Sequence, residues 1–110
     1  MLTNLTLPAI PTEVVAGTAT QNKAITCIQI CNITNLPAFA NPLTININVY
    51  AVPSGHAAGQ NTLIYCMVPI TAGDTFIVDT ERLVLGDGDS IWADCDTAGA
   101  GVMTVSTVGI

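Results

Sequence analysis

The chain is predicted to be all-β, an antiparallel β-sandwich of immunoglobulin-like or jelly-roll type with roughly seven to eight strands. Three observations predict it. From Leu43 to Ala51 the sequence alternates: Leu43, Ile45, Ile47, Val49 and Ala51 share one face, and Thr44, Asn46, Asn48 and Tyr50 the other. That is a half-buried strand, because no helix keeps such a set on one side. No stretch carries an apolar period near 3.6 long enough for a helix of ordinary length. Short β-branched segments instead recur between turns rich in Gly, Pro, Asn and Asp.

The elements follow in order. Residues 1–13 hold Pro8 and Pro11 among Leu, Thr and Ile. They read as an extended arm, which either packs along its own domain as an edge strand or reaches to a neighbour. Residues 14–110 form a single sandwich domain. Val14 to Thr20 is a short strand candidate, and Gln21-Asn22-Lys23 a polar turn. Ala24 to Thr34 is a longer strand with apolar residues on both parities, Ile28 and Ile30 against Ile25, Cys27, Cys31 and Ile33. Both of its faces are expected to be covered, which suits a central strand or one covered by a partner. Asn35 to Pro42 is a proline-bounded loop in which Phe39 either covers the core edge or anchors a partner.

The strand at Leu43 ends at Pro53-Ser54-Gly55, and after a polar loop Asn61 to Pro69 returns as the second arm of a hairpin. Ala72-Gly73-Asp74 is a turn, Thr75 to Asp79 a strand, and Thr80-Glu81-Arg82 a polar linker. Leu83 to Leu85 is apolar and is followed by the sharp turn Gly86-Asp87-Gly88-Asp89. Ser90 to Cys95 places Ile91, Ala93 and Cys95 on one face, Trp92 and Asp94 on the other. After a turn at Asp96 to Gly101, Val102 to Val108 is the last strand.

Composition narrows the function. The 110 residues make one domain, large enough for a core without metals or disulfides. Apolar residues make up 50% and charged residues only 9%, against about 25% charged in average soluble domains. So little charge fits a surface that partly faces other subunits, though Thr, Asn, Ser and Gly also supply uncharged polarity. A net charge of −6, with Lys23 and Arg82 the only basic side chains, argues against nucleic acid and against an anionic membrane. No apolar run is long enough to span a bilayer as a helix. Residues 1–10 lack the basic n-region of a signal peptide, so use without export is expected.

Candidate chemistry is sparse. Cys27 and Cys31, on one strand, would sit about 13 Å apart, beyond disulfide reach. With Cys66 and Cys95 scattered and one histidine, the thiols are expected to be reduced, small hydrophobes. Asn4-Leu5-Thr6 and Asn32-Ile33-Thr34 match the glycosylation sequon, which a chain that is not exported leaves unused. Asp87 and Asp89 are the weak candidates for a metal, as oxygen ligands for calcium. Their spacing lacks the closing Glu of an EF-hand, and a tight turn is the simpler explanation of them. His56, flanked by Ser54 on a loop, is not a preorganised base. The sequence therefore predicts no catalytic residue and no cofactor.

The runs Cys31-Asn32-x-Thr34, Val52-Pro53-Ser54-Gly55, Leu63-Ile64-Tyr65, Ala72-Gly73-Asp74-Thr75 and Leu85-x-x-Gly88-Asp89-x-Ile91, with a valine-rich end, resemble small β-sandwich structural proteins of tailed bacteriophages. The resemblance covers residues 24–110 and rests on turn and strand signatures. It implies a virion protein without catalysis or cofactor, assembled in the bacterial host cytoplasm. A capsid decoration or cement protein is the first expectation, bound to the major capsid protein or other virion proteins and to itself, with a trimer as the first guess. A tail, neck, baseplate or fibre-associated module is the second. A calcium-dependent carbohydrate-binding module is the third, set against only three Trp or Tyr residues, Tyr50, Tyr65 and Trp92. The expected contact residues are Leu5, Leu7, Ile10, Val14, Phe39, His56 and Trp92.

Overall fold

The computed structural model describes residues 1–79 and 83–110. Thr80-Glu81-Arg82, read above as a polar linker, lies outside the described residues. Among the described residues nine strands form: β1 (Leu2–Thr6), β2 (Thr12–Ala16), β3 (Lys23–Asn32), β4 (Ile45–Val52), β5 (Leu63–Ile70), β6 (Thr75–Val78), β7 (Leu83–Leu85), β8 (Ser90–Cys95) and β9 (Gly101–Gly109). One sheet has the order β1-β9-β3-β6, with β7 also on β3; the other has the order β2-β8-β4-β5. We call them the first and second sheets.

The pairing has a simple logic. β1 pairs with β9, β2 with β8, β3 with β6 and β7, and β4 with β5, all antiparallel. The chain is thus one long nested hairpin, rolled so that successive pairs fall in alternate sheets, and closed by β9 on β3 and β8 on β4. β6 pairs with Ile28–Cys31 and β7 with Lys23–Ile25. They act as one interrupted strand, which is why there are nine strands rather than the roughly seven to eight expected. With β6 and β7 taken as one, the sandwich is of the jelly-roll type. The strand at Leu43 and its return are the tip of this hairpin.

The core lies between the sheets. Ile25, Ile28, Ile30, Met103 and Val105 from the first sheet face Ile45, Ile47, Val49, Ile91 and Ala93 from the second, all buried. A buried side chain of this kind contributes about 1.5–3 kcal/mol. The parity expected for β3 needs correction: a bulge between Ile25 and Cys27 shifts the register, so Ile25 joins Ile28 and Ile30 inside. Cys27 and Cys31 are left on the outer face, across from Ser106 and Val102. A bulge adds one residue and reverses the parity beyond it.

Residues 1–13 are part of the sandwich. β1 forms the edge of the first sheet along Val102 to Ser106 of β9, and β2 begins at Thr12 on β8. Between them, the Leu7 amide donates to Gly101 O at 2.8 Å and the Gly99 amide to Leu7 O at 3.0 Å. The arm therefore packs along its own domain.

Gly17, just after β2, is required by close approach. A Cβ there would run into the backbone carbonyl oxygens of Leu85 and Gly86.

Candidate assembly surface

The turn signatures prove to be joints between loops. Asn32, at the end of β3, is fully buried. Its Nδ2 donates to the carbonyls of Leu43 and Ile70, both at 2.7 Å, and its Oδ1 accepts from the Thr34 amide at 2.9 Å and the Thr34 hydroxyl at 2.7 Å. Thr34 Oγ1 in turn accepts from the Leu43 amide at 2.9 Å. Asn32 and Thr34 thus lash residues 33–44 to the ends of β3 and β5.

Asp89 does the same at the opposite end. Its Oδ1 accepts from the Ser54 amide at 2.9 Å and its Oδ2 from the Gly86 amide at 3.0 Å. These two amides hold its carboxyl below the usual carboxylate range, since they favour the charged form. Both carboxylate oxygens serve the turn, in which Gly88 takes a positive φ of 82°. Asp87 is exposed, and its backbone bridges to Gly17. Among the described residues no group of three or more His, Cys, Asp or Glu side chains converges to hold a metal ion.

The outer face of the second sheet is a ladder of cross-strand polar pairs. Asn46 Nδ2 donates to Asp96 Oδ2 at 3.0 Å, Asn48 Nδ2 to Asp94 Oδ1 at 2.8 Å, and Tyr50 Oη to Asp94 Oδ2 at 2.6 Å. Asn48 Oδ1 also accepts from the Met67 amide at 2.8 Å, inside a bulge of β5 where Met67 takes a φ of 52°. Burial first, and then the Asp94 carboxylate, push Tyr50 up to about 12 from 10.0. The folded chain keeps this proton to higher pH than the unfolded chain. Its contribution is therefore complete below about pH 10 and is lost as pH rises toward 12. Stability measured by urea unfolding should fall across that window by on the order of 2 kcal/mol, and Tyr50→Phe should flatten the fall. An unchanged alkaline limb in Tyr50→Phe would contradict the assignment. Burial likewise raises the Cys95 thiol, which lies on the inner face of β8.

The expected contact residues scatter. Leu7 and Val14 are buried in the core, so neither is a contact residue. Leu5 and Phe39 are half-buried and pack against that core. Leu5 sits opposite Met103, where the alternation of β1 turns it inward. Ile10 remains 70% exposed on the turn between β1 and β2. His56 is exposed, its Nδ1 3.2 Å from Ser54 O. Trp92 is half-buried on the outer face of β8, and its Nε1 donates to Ser90 Oγ at 2.8 Å. The structure does not bring these residues to one place.

What it does assemble is the outer face of the first sheet. The registers place Leu2, Asn4 and Thr6 of β1 beside Val102, Thr104, Ser106 and Val108 of β9. Next come Ala24, Cys27, Gln29 and Cys31 of β3, then Thr75 and Ile77 of β6 and Val84 of β7. No Asp, Glu, Lys or Arg is among them. Leu2, Ile77, Val84 and Val108 are each more than half exposed. The polar members bond sideways within the face: Asn4 Nδ2 to Thr104 Oγ1 at 2.8 Å, and Thr26 Oγ1 to Ser106 Oγ at 3.0 Å. Only the mixed parity of Ala24 to Thr34 signalled this face in the sequence; its other strands carry it one short segment at a time.

One further concavity opens between the sheets where β5 faces β6 and β7. It measures about 350 Å³ and is lined by Ile25, Ile28, Ile64, Tyr65, Val78 and Leu83. Tyr65 contributes the one polar side-chain group in that set, and none of these residues offers a nucleophile paired with a base. Among the described residues, no buried side-chain nitrogen or oxygen lacks a hydrogen-bond partner.

No protein-family model, curated protein or solved structure matches the chain.

Proposed function

We propose that the chain is a non-catalytic structural subunit of a bacteriophage virion, a decoration or cement protein of the capsid that works as a homo-oligomer. The observation that carries this reading is the outer face of the first sheet, whose described strand positions hold no charged side chain in a chain of net charge −6. A free surface of that size gains nothing by shedding its charges; a surface buried in an assembly does, because unpaired charge is costly to bury. The motif resemblance to phage structural proteins points the same way. Jelly rolls are a frequent architecture of viral capsid domains, though also of lectins and cupins, so the fold alone carries only analogy.

The mechanism is mechanical. A rigid sandwich bound at several equivalent positions bridges neighbouring capsid subunits, and repeated weak contacts combine as avidity. Ile10 and the loop around His56 are the exposed members of the expected contact set that remain free to meet the capsid. No cofactor enters this mechanism, and the molecule would reside in the virion.

The test is a particle that lacks this chain. Heads without it should release DNA at lower temperature, or under chelation, than complete heads, while tails remain normal; added purified protein should restore resistance. Heads of unchanged resistance beside defective tails would move the chain to the tail, neck or baseplate and overturn the cement reading.

A further inference from the structure

We infer that the outer face of the first sheet pairs with the same face of a second copy of this chain. This rests on the structural role proposed above and names the occupant of the face that carries it.

Charge selects the partner. The molecule carries −6, and among the described residues no acidic side chain belongs to the strand positions of this face. Glu13, Asp94 and Asp96 belong to the second sheet and its ends, Asp74, Asp87 and Asp89 to turns, and Asp79 follows the end of β6 at the margin of the face. Two copies meeting by any other large surface would bring carboxylates together, with too few cations to offset them. The outer face of the first sheet avoids that repulsion.

The sheet edges argue in the same direction. β5 carries Pro69 and the bulge at Met67. β2 carries Glu13 and a bulge between Glu13 and Val15. β6 and β7 form an interrupted edge. These are devices that blunt strand addition, and β1, the remaining edge, is kept short at five residues, so association by a face is favoured over association by an edge.

Size and texture fit a second copy. Four strands at about 4.8 Å spacing, the longest, β3, spanning ten residues, give a plan of roughly 20 by 30 Å. The accessible area of such a pleated surface approaches the about 800 Å² per partner of a standard stable interface. Thr104, Ser106, Cys27 and Ala24 are small, so a facing sheet can approach to about 10 Å. Their hydrogen bonds already run sideways within the sheet, so covering them strands few polar groups. A single flat face of this kind is consumed by one partner, and it is self-complementary about a two-fold axis. The result is a two-fold dimer rather than the trimer first expected, with two identical outward surfaces for the capsid.

Sedimentation equilibrium tests this. The wild-type chain should run at twice its 11.4 kDa mass. Thr104→Glu, at the centre of the face, should weaken dimerisation by about a hundredfold or more, and so should Ile77→Lys at its margin. Each variant should keep the wild-type circular dichroism spectrum. An equimolar mixture of Thr104→Glu and Thr104→Lys should recover the dimer. A wild-type monomer at about 100 μM, or a dimer indifferent to all these changes, overturns the inference. Binding to particles stripped of the chain separates this failure from that of the broader reading. If the wild type is monomeric and Thr104→Glu abolishes particle binding, another virion protein covers the face, and the second copy is wrong while the structural role stands. If stripped particles do not bind even the wild type, the structural role falls, whatever the state of the dimer.

Discussion

Asn32→Ala is expected to destabilise the isolated chain by about 3–5 kcal/mol. The side chain is fully buried, donates to two carbonyls and accepts from the amide and hydroxyl of Thr34. Truncation leaves Ile70 O and the Thr34 amide without their side-chain partner, and each buried group so stranded costs about 1–3 kcal/mol. The residues it releases, 33–44, include Phe39, which covers part of the core. Against a total stability of about 5–15 kcal/mol for a domain of this kind, the loss is large. Urea denaturation measures it directly. Asn4, in the other sequon, provides the contrast: its one bond, to Thr104, is on the exposed face, and Asn4→Ala should cost about 0.5 kcal/mol or less. Equal effects at the two positions would contradict the assignment of Asn32 as the joint. Complete burial also removes Asn32 as a glycan acceptor in the folded chain.

Leu7→Ala is expected to cost about 2–5 kcal/mol, the range for a large aliphatic side chain removed from a packed core. Leu7 is 0% exposed, and its backbone bonds to Gly99 and Gly101 prevent the chain from closing over the gap. Ile10→Ala, three residues on and exposed, should leave stability within about 0.5 kcal/mol. Thermal unfolding read by circular dichroism distinguishes them, at about 4 °C or more per kcal/mol for a chain of this length. An arm that reached to a neighbour would instead give two mild effects in the isolated chain. The predicted inequality therefore tests whether the first residues belong to the sandwich.

Much of the fold was legible because period-two patterning acts locally. Leu43 to Ala51 and Ser90 to Cys95 show their inward sets directly, and those sets are the ones found facing the core, apart from Leu43, which precedes β4 and stays exposed. Legibility stopped where one residue changes parity. The bulge at Thr26 leaves no mark in composition, so Ile25 was assigned to the face of Cys27 and Cys31. It stopped again at residues 1–13, where Pro8 and Pro11 left open whether an edge strand packs on its own sheet, and where β2 begins at Thr12, two residues before the strand expected from Val14. The turn signatures were visible as words, but their meaning was long-range. Asp89 holds an amide 35 residues away, and Asn32 a carbonyl 38 away. Nothing in local spacing pairs them.

The candidate surface was less legible still. Its residues come from β1, β3, β6, β7 and β9, and no single segment looks unusual for being uncharged. Only the sheet order turns scattered Thr, Ser, Val and Cys residues into one charge-free face. The low overall charge hinted that such a face existed without placing it. The contact set drawn from large apolar residues failed at Leu7 and Val14 for an ordinary reason: a large apolar side chain in a strand is more often core than interface.

The central claim is that this face is covered when the protein does its work, and the native cysteines report on it. Cys27 and Cys31 lie on the face, and Cys66 is exposed on the far edge, in β5. The decisive measurement is the rate of maleimide modification of each thiol in the assembled protein, read by peptide mass spectrometry, with monomeric Thr104→Glu as the uncovered reference. The account predicts that Cys66 reacts at the same rate in both, while Cys27 and Cys31 are slowed at least tenfold in the assembly. Equal rates at Cys27 and Cys31 in the two samples would show the face open to solvent and contradict it.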